Sequence, residues 1–149
     1  MKVVILGIGN RLMEDDGVGN DIVEELKRKE AFPGLRMLAG ETDTEYCLKE
    51  LEGADTAILI DAANMGNEPC SVSVLPLGNI LEKRALPRFS HHHDLLHGMK
   101  LQNYQGDGIL VAVEVCSVQH RFGLSPQMRE QFPRIVDEIK QLIESYLNL

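Results

Sequence analysis

Val3-Val4-Ile5-Leu6 is apolar without interruption, as a parallel strand buried on both faces would be. Further on, Val18, Ile22, Val23 and Leu26 recur at helical spacing with Glu24, Glu25, Lys27 and Arg28 between them, which predicts an amphipathic helix from about Gly17 to Lys29. Pro33-Gly34 breaks it, and Leu35 to Leu38 reads as a short second strand. Thr42-Asp43-Thr44-Glu45 has the spacing of a capping box ahead of a helix whose apolar stripe is Cys47, Leu48 and Leu51 and which Gly53 ends. Ala57-Ile58-Leu59-Ile60 is the next buried strand, with Asp61 at its carboxyl end. Val72 and Val74 alternate with Ser71 and Ser73, a period of two that suits an edge strand with one wet face.

Ile109 to Val115 is strongly β-type. Ser125-Pro126 opens a helix, since Ser caps and Pro at the first position loses no hydrogen bond. Its stripe is Met128, Phe132, Ile135, Val136, Ile139, Leu142, Ile143 and Tyr146, and Pro133 is expected to kink it or split it after one turn. The stretch from Gly78 to Gly108 is the least regular, with a short helix expected near Asp94 to Leu101. Strands alternating with helices predict an α/β fold in one domain spanning residues 1–149. It should be a three-layer α/β/α sandwich: a mostly parallel, twisted sheet of about five strands with helices on both faces.

The formal net charge of −8 should repel phosphate backbones, which argues against nucleic acid as a partner and leaves a metal ion or a basic peptide open. Three cysteines, Cys47, Cys70 and Cys116, with no Cys-x-x-Cys pair disfavour a disulfide framework or a zinc knuckle and suit free thiols in a reducing cytoplasm. The apolar run before Gly7 is too short for a signal-peptide core, and no stretch approaches the roughly 20 apolar residues of a membrane helix, so no membrane association is expected.

The segment that carries most chemistry is Gly7-Ile8-Gly9-Asn10-Arg11-Leu12-Met13-Glu14-Asp15-Asp16-Gly17-Val18-Gly19. Gly7-x-Gly9 begins like a dinucleotide fingerprint, but Leu12 stands where the third glycine belongs and the carboxylates would repel a pyrophosphate. One of Asp15 and Asp16 is expected to cap the following helix; three adjacent carboxylates exceed what capping needs. The topology puts Asp61 at the same sheet edge as Asp16, on a strand expected to neighbour the first. Two carboxylates in one crevice are a candidate for metal binding or acid–base chemistry. In His91-His92-His93 at most one or two imidazoles can face one point. One imidazole with two carboxylates would suit a divalent transition metal with positions left open for a substrate ligand. No Gly-x-Ser-x-Gly or His-Glu-x-x-His motif occurs.

The glycine–carboxylate segment resembles the opening signature of the [NiFe]-hydrogenase maturation endopeptidases. Ile58-Leu59-Ile60-Asp61-Ala62 resembles that family's second motif, Ser90-His91-His92 its Ser-x-His element with Leu96 four residues beyond, and Gly123-Leu124-Ser125-Pro126 the start of its last helix. The chain departs from the family pattern at Pro69-Cys70, where Pro-Gly is usual. The resemblance implies an α/β sandwich that removes a C-terminal extension from the hydrogenase large-subunit precursor once nickel has been inserted. It also implies that Asp16, Asp61 and His92 recognise nickel carried by the substrate, with His93 as the alternative register for the histidine. Two other readings use the same residues. One is a nickel-binding assembly chaperone without hydrolytic activity. The other is an enzyme similar to peptidyl-tRNA hydrolase, which wants a histidine on the first helix where this chain has Asn20.

Overall fold

Five strands build the sheet: β1 (Val3–Ile8), β2 (Arg36–Glu41), β3 (Thr56–Ala63), β4 (Val72–Pro76) and β5 (Asp107–Glu114), in the spatial order β2-β1-β3-β5-β4. The computed structural model describes residues 1–82 and 92–149, with the side chains of all of these except His92 and His93. β1 pairs in parallel with β2 and β3, and β3 with β5, whereas β4 runs antiparallel to β5 at the edge. The chain moves from β1 to β2 on one side and then to β3 on the other. The winding therefore reverses between β1 and β3, and open α/β sheets place their crevices at the carboxyl ends of such strand pairs.

Alternation along the strands sends successive side chains to opposite faces. Ile5, Ile58, Ile60, Ile109, Val111 and Val113 meet α1 (Val18–Arg28) and α5 (Pro126–Leu147) through Val18, Ile22, Val23, Leu26, Met128, Ile135, Val136, Ile139 and Ile143. Val4, Leu6, Ala57, Leu59, Leu110 and Ala112 meet α2 (Thr44–Leu51), α3 (Leu77–Glu82) and α4 (His92–Leu101) through Cys47, Leu51, Leu77, Ile80, Leu95, Leu96 and Met99. The three-layer sandwich expected from the sequence is the observed architecture.

Local details differ from the sequence reading. β2 runs on to Glu41 because its pairing with β1 continues across an irregularity after Gly7. The cap of α2 is Asp43, whose carboxylate accepts from the Tyr46 N–H, one residue later than the capping-box spacing implies. Pro133 neither splits α5 nor ends it: the helix is continuous over 22 residues. The bond lost at Pro133 is outweighed by the apolar stripe from Met128 to Ile143, buried on both sides of it. α3 falls in the stretch that lacked periodicity, and α4 starts two residues before Asp94.

Glycine sets how closely the first helix approaches the sheet. A Cβ placed on Gly19 would lie 2.2 Å from the Ile60 carbonyl oxygen and 2.7 Å from that of Ile8; one on Gly7 would lie 2.3 Å from the Gly19 carbonyl oxygen. The start of α1 thus lies directly on backbone of β1 and β3, with no room for a side chain. Gly19→Ala is expected to lower stability by roughly 3 kcal/mol or more, since backbone cannot yield as a side-chain end can. Gly78→Ala, where nothing lies within 4 Å of the added Cβ, should be neutral or stabilising by up to about 1 kcal/mol. Urea unfolding of the two variants checks this, and equal midpoints would contradict the packing argument.

Candidate functional site

Between β1 and α1 the chain makes a loop, Gly9 to Met13, and a single 3-10 turn, Glu14–Gly17. Gly9 has φ +137, a conformation that side chains disfavour, and a Cβ there would fall 2.0 Å from the Asp16 carbonyl oxygen and 3.4 Å from Asp61 Oδ1. The backbone of Asp16 and the carboxylate of Asp61 therefore both lie against Gly9, at the point where the winding reverses. Asp61 stands within β3, two residues before its end, rather than at the terminus. It alternates with Leu59 and Ala63, which pack beneath the α2–α4 layer, so it belongs to the face that α4 covers.

The acidic run is buried: Glu14, Asp15 and Asp16 are 3%, 0% and 1% exposed, and Asp61 is 0% exposed. Neither aspartate caps α1. The cap position is Gly17, which offers no side chain, and the carboxylates are engaged elsewhere. Asp15 Oδ2 accepts from the N–H groups of Cys116 (2.9 Å) and Ser117 (3.0 Å) and from the Ser125 hydroxyl (2.7 Å), while Oδ1 accepts from the Ser125 N–H (2.8 Å). Glu14 Oε1 accepts from the Ser117 hydroxyl (2.7 Å) and the Gln119 N–H (3.1 Å). Asp16 Oδ2 turns back to accept from the Asn10 N–H at 3.0 Å, and Asp61 Oδ1 accepts from the Ala62 N–H at 2.7 Å. Two members of the run thus hold the segment after β5 against the turn, and Asp16 fixes the loop that precedes it.

Three residues outside the sequence expectations complete the frame. Asn20, fully buried, donates to the Gly9 carbonyl (2.9 Å) and accepts from the Glu41 N–H (2.9 Å), tying loop, helix and β2 together. Both ends of its amide are used structurally at the position where the peptidyl-tRNA hydrolase reading wants a histidine. Glu114, 4% exposed, accepts from the N–H groups of Met65 and Gly66 and so shapes the turn after β3. Arg11 bridges Asp21 (2.7 Å), Glu24 (2.5 Å) and Glu41 (3.0 Å) along the outer side of the loop. Burial holds the Asp21 carboxyl above its ordinary pKa although Arg11 pulls the other way. A polar residue inside an apolar helix stripe, such as Asn20 beside Val18, Ile22 and Val23, is the signal that could have singled out the first of these.

His92 and His93 are the first two residues of α4, and their imidazoles lie outside the described residues, as do Ser90 and His91. Among the described residues no group of three or more His, Cys, Asp or Glu is disposed to hold a metal ion. Nor is any helix among them long and apolar enough to cross a membrane.

Residues 21–142 match the family described as hydrogenase maturation protease. The chain belongs to the hydrogenase maturation protease family. It is 34% identical over 92 residues to the hydrogenase expression/formation protein HupM of Azotobacter chroococcum, an alignment covering 61% of this chain and 44% of that protein. It is 23% identical over 145 residues to the hydrogenase 2 maturation protease of Escherichia coli, covering 93% and 88%. The solved [NiFe] hydrogenase maturation protease HybD from Thermococcus kodakarensis superposes with a TM-score of 0.77 at 25% identity, covering 95% of this chain and 99% of that one. The matched part spans less than half the length of the first curated relatives.

The Asp15 arrangement carries its own test. Asp15→Asn keeps the volume but turns an amide N–H toward donors and removes a charge from a fully buried network. It should cost roughly 2–4 kcal/mol, more than an exposed Asp→Asn change would. Thermal unfolding of Asp15→Asn beside the surface variant Asp137→Asn measures the contrast, and indistinguishable midpoints would refute the bracing role.

Proposed function

We propose that this chain is an endopeptidase that removes the C-terminal extension of a [NiFe]-hydrogenase large-subunit precursor after nickel insertion, using Asp16, Asp61 and His92 to recognise nickel that the precursor carries. The observation that carries the reading is that the backbone of Asp16 and the carboxylate of Asp61 both lie against Gly9, both residues buried, in a chain whose residues 21–142 match the maturation proteases. His92, at the start of α4 on the face where Asp61 lies, is the third ligand in this reading, with His93 as the alternative.

Charge supplies the selectivity. Carboxylates near one sheet edge attract a divalent cation and offer it oxygen ligands. Cysteine thiolates of the precursor hold the nickel, and the two carboxylates and the imidazole complete its sphere. A metal-free precursor lacks the ion that these side chains would ligate and binds poorly. Once docked, the scissile bond lies beside a Lewis acid able to polarise its carbonyl or activate a water molecule. The protein's own contribution is a braced frame: Asn20, Asp15 and Glu114 tie down the loops around the turn that carries Asp16 and the strand that carries Asp61.

The test is a mass measurement on the large subunit after incubation with this chain. Nickel-loaded precursor should lose its extension at least about tenfold faster than nickel-free precursor, a preference equivalent to roughly 1.4 kcal/mol. Asp16→Asn, Asp61→Asn and His92→Ala should each slow cleavage by at least a comparable factor. Equal processing of both precursors would reject metal gating, and unimpaired variants would reject the residue assignment. An unchanged subunit mass with nickel retained in a complex would favour the assembly chaperone instead.

A further inference from the structure

Beyond the acidic crevice, two thiols of this chain face each other. Cys70 Sγ and Cys116 Sγ stand 3.1 Å apart, joined by a sulfur–sulfur hydrogen bond. Cys70 precedes β4 and is 2% exposed; Cys116 follows β5 and is partly exposed. Their backbones are held from several sides. The Cys70 N–H donates to the Glu114 carbonyl (2.9 Å) and its carbonyl accepts from Arg134 Nη2 (3.0 Å), while the Cys116 N–H donates to Asp15. Cys70 also has φ +70, a left-handed conformation that costs little for glycine and more for any residue with a Cβ. A strained backbone position thus carries a side chain whose sulfur meets another sulfur. The third cysteine, Cys47, lies in the opposite layer, on the buried side of α2, with its thiol against the Gly40 carbonyl.

We propose that Cys70 and Cys116 form a redox-active dithiol, which a low-molecular-weight disulfide converts to an intramolecular disulfide that locks the turn gripping Asp15. The reaction balances in two exchanges. The thiolate of the more accessible Cys116 attacks one sulfur of the small disulfide, forming a mixed disulfide and expelling one thiolate. Cys70, as thiolate, then attacks Cys116 Sγ, closing the Cys70–Cys116 bond and expelling the second thiolate. Each expelled thiolate takes up one of the two protons lost by the cysteines, and the small disulfide is reduced to two thiols. Burial first, and Cys70 next, push the Cys116 thiol up to about 12, so the attacking Cys116 rests as the thiol and oxidation is slow. Because the Cys116 and Ser117 N–H groups both end on Asp15 Oδ2, and Asp15 precedes Asp16, the bridge joins the β4 edge to the turn beside the acidic crevice.

The full chain is equilibrated in glutathione buffers ranging from reduced to oxidised, quenched in acid, alkylated in denaturant and analysed by intact mass and peptide mapping. The expected product has lost two hydrogens, links the Cys70 and Cys116 peptides, leaves only Cys47 alkylated, and reverts with dithiothreitol. Cys70→Ser should instead stop at a glutathione adduct on Cys116. In the oxidised wild type, amide exchange at Cys116 and Ser117 should slow at least fivefold. Three alkylated cysteines at every buffer ratio, a stable glutathione adduct on the wild type, or a bridge through Cys47 would overturn the proposal. Unchanged exchange in the bridged protein would overturn its coupling to the Asp15 turn.

Discussion

Contact of backbone on backbone at the start of α1 governs the arrangement around it. Gly19 rests on the carbonyls of Ile8 and Ile60, and Gly7 lies under the Gly19 carbonyl. Any side chain at these points would lift the helix from the sheet and carry the preceding turn with it. The same closeness seats the Asp16 carbonyl over Gly9, which also lies beside the Asp61 carboxylate. Glycines that look like part of a phosphate loop here bring an acidic turn down onto the carboxyl edge of the sheet.

That descent brings charge into a dry place, and the fold meets it with donors. Asp15 and Glu14 are surrounded by N–H and hydroxyl groups from the segment between β5 and α5, which lies more than a hundred residues along the chain. Buried carboxylates persist when such bonds satisfy them. The network therefore has two consequences: it stabilises the acidic turn, and it connects both ends of the chain at the crevice. Ser125 serves twice within it, accepting from the Met128 N–H as the cap of α5 and donating to Asp15.

The layers were legible because strands and helices differ in period. Val3–Leu6 and Ala57–Ile60 announce buried strands, and the stripe from Met128 to Ile143 announces α5, with little competing signal. That the Asp16 turn and Asp61 both fall at the carboxyl edge of β1 and β3 was also legible, since strand alternation and crossover rules fix which edge each occupies. What was not legible depends on long-range donors. Nothing near Asp15 in the chain shows that residues 116–125 will surround its carboxylate, so it read as a helix cap. Cys70 and Cys116 likewise meet only because β4 and β5 pair antiparallel. α3 is short and weakly patterned, and Pro133 is tolerated through tertiary packing that local propensity does not express.

The central claim is that two carboxylates and one imidazole from distant parts of the chain share an ion presented by another protein. Anomalous diffraction at the nickel edge, from crystals of this chain bound to its nickel-loaded precursor, addresses it most directly. The account predicts a single nickel on the precursor's thiolates, with carboxylate oxygens of Asp16 and Asp61 and an imidazole nitrogen of His92 within about 2.0–2.3 Å. A nickel ion held by precursor groups alone, or bound to this chain away from Asp16 and Asp61, would contradict it.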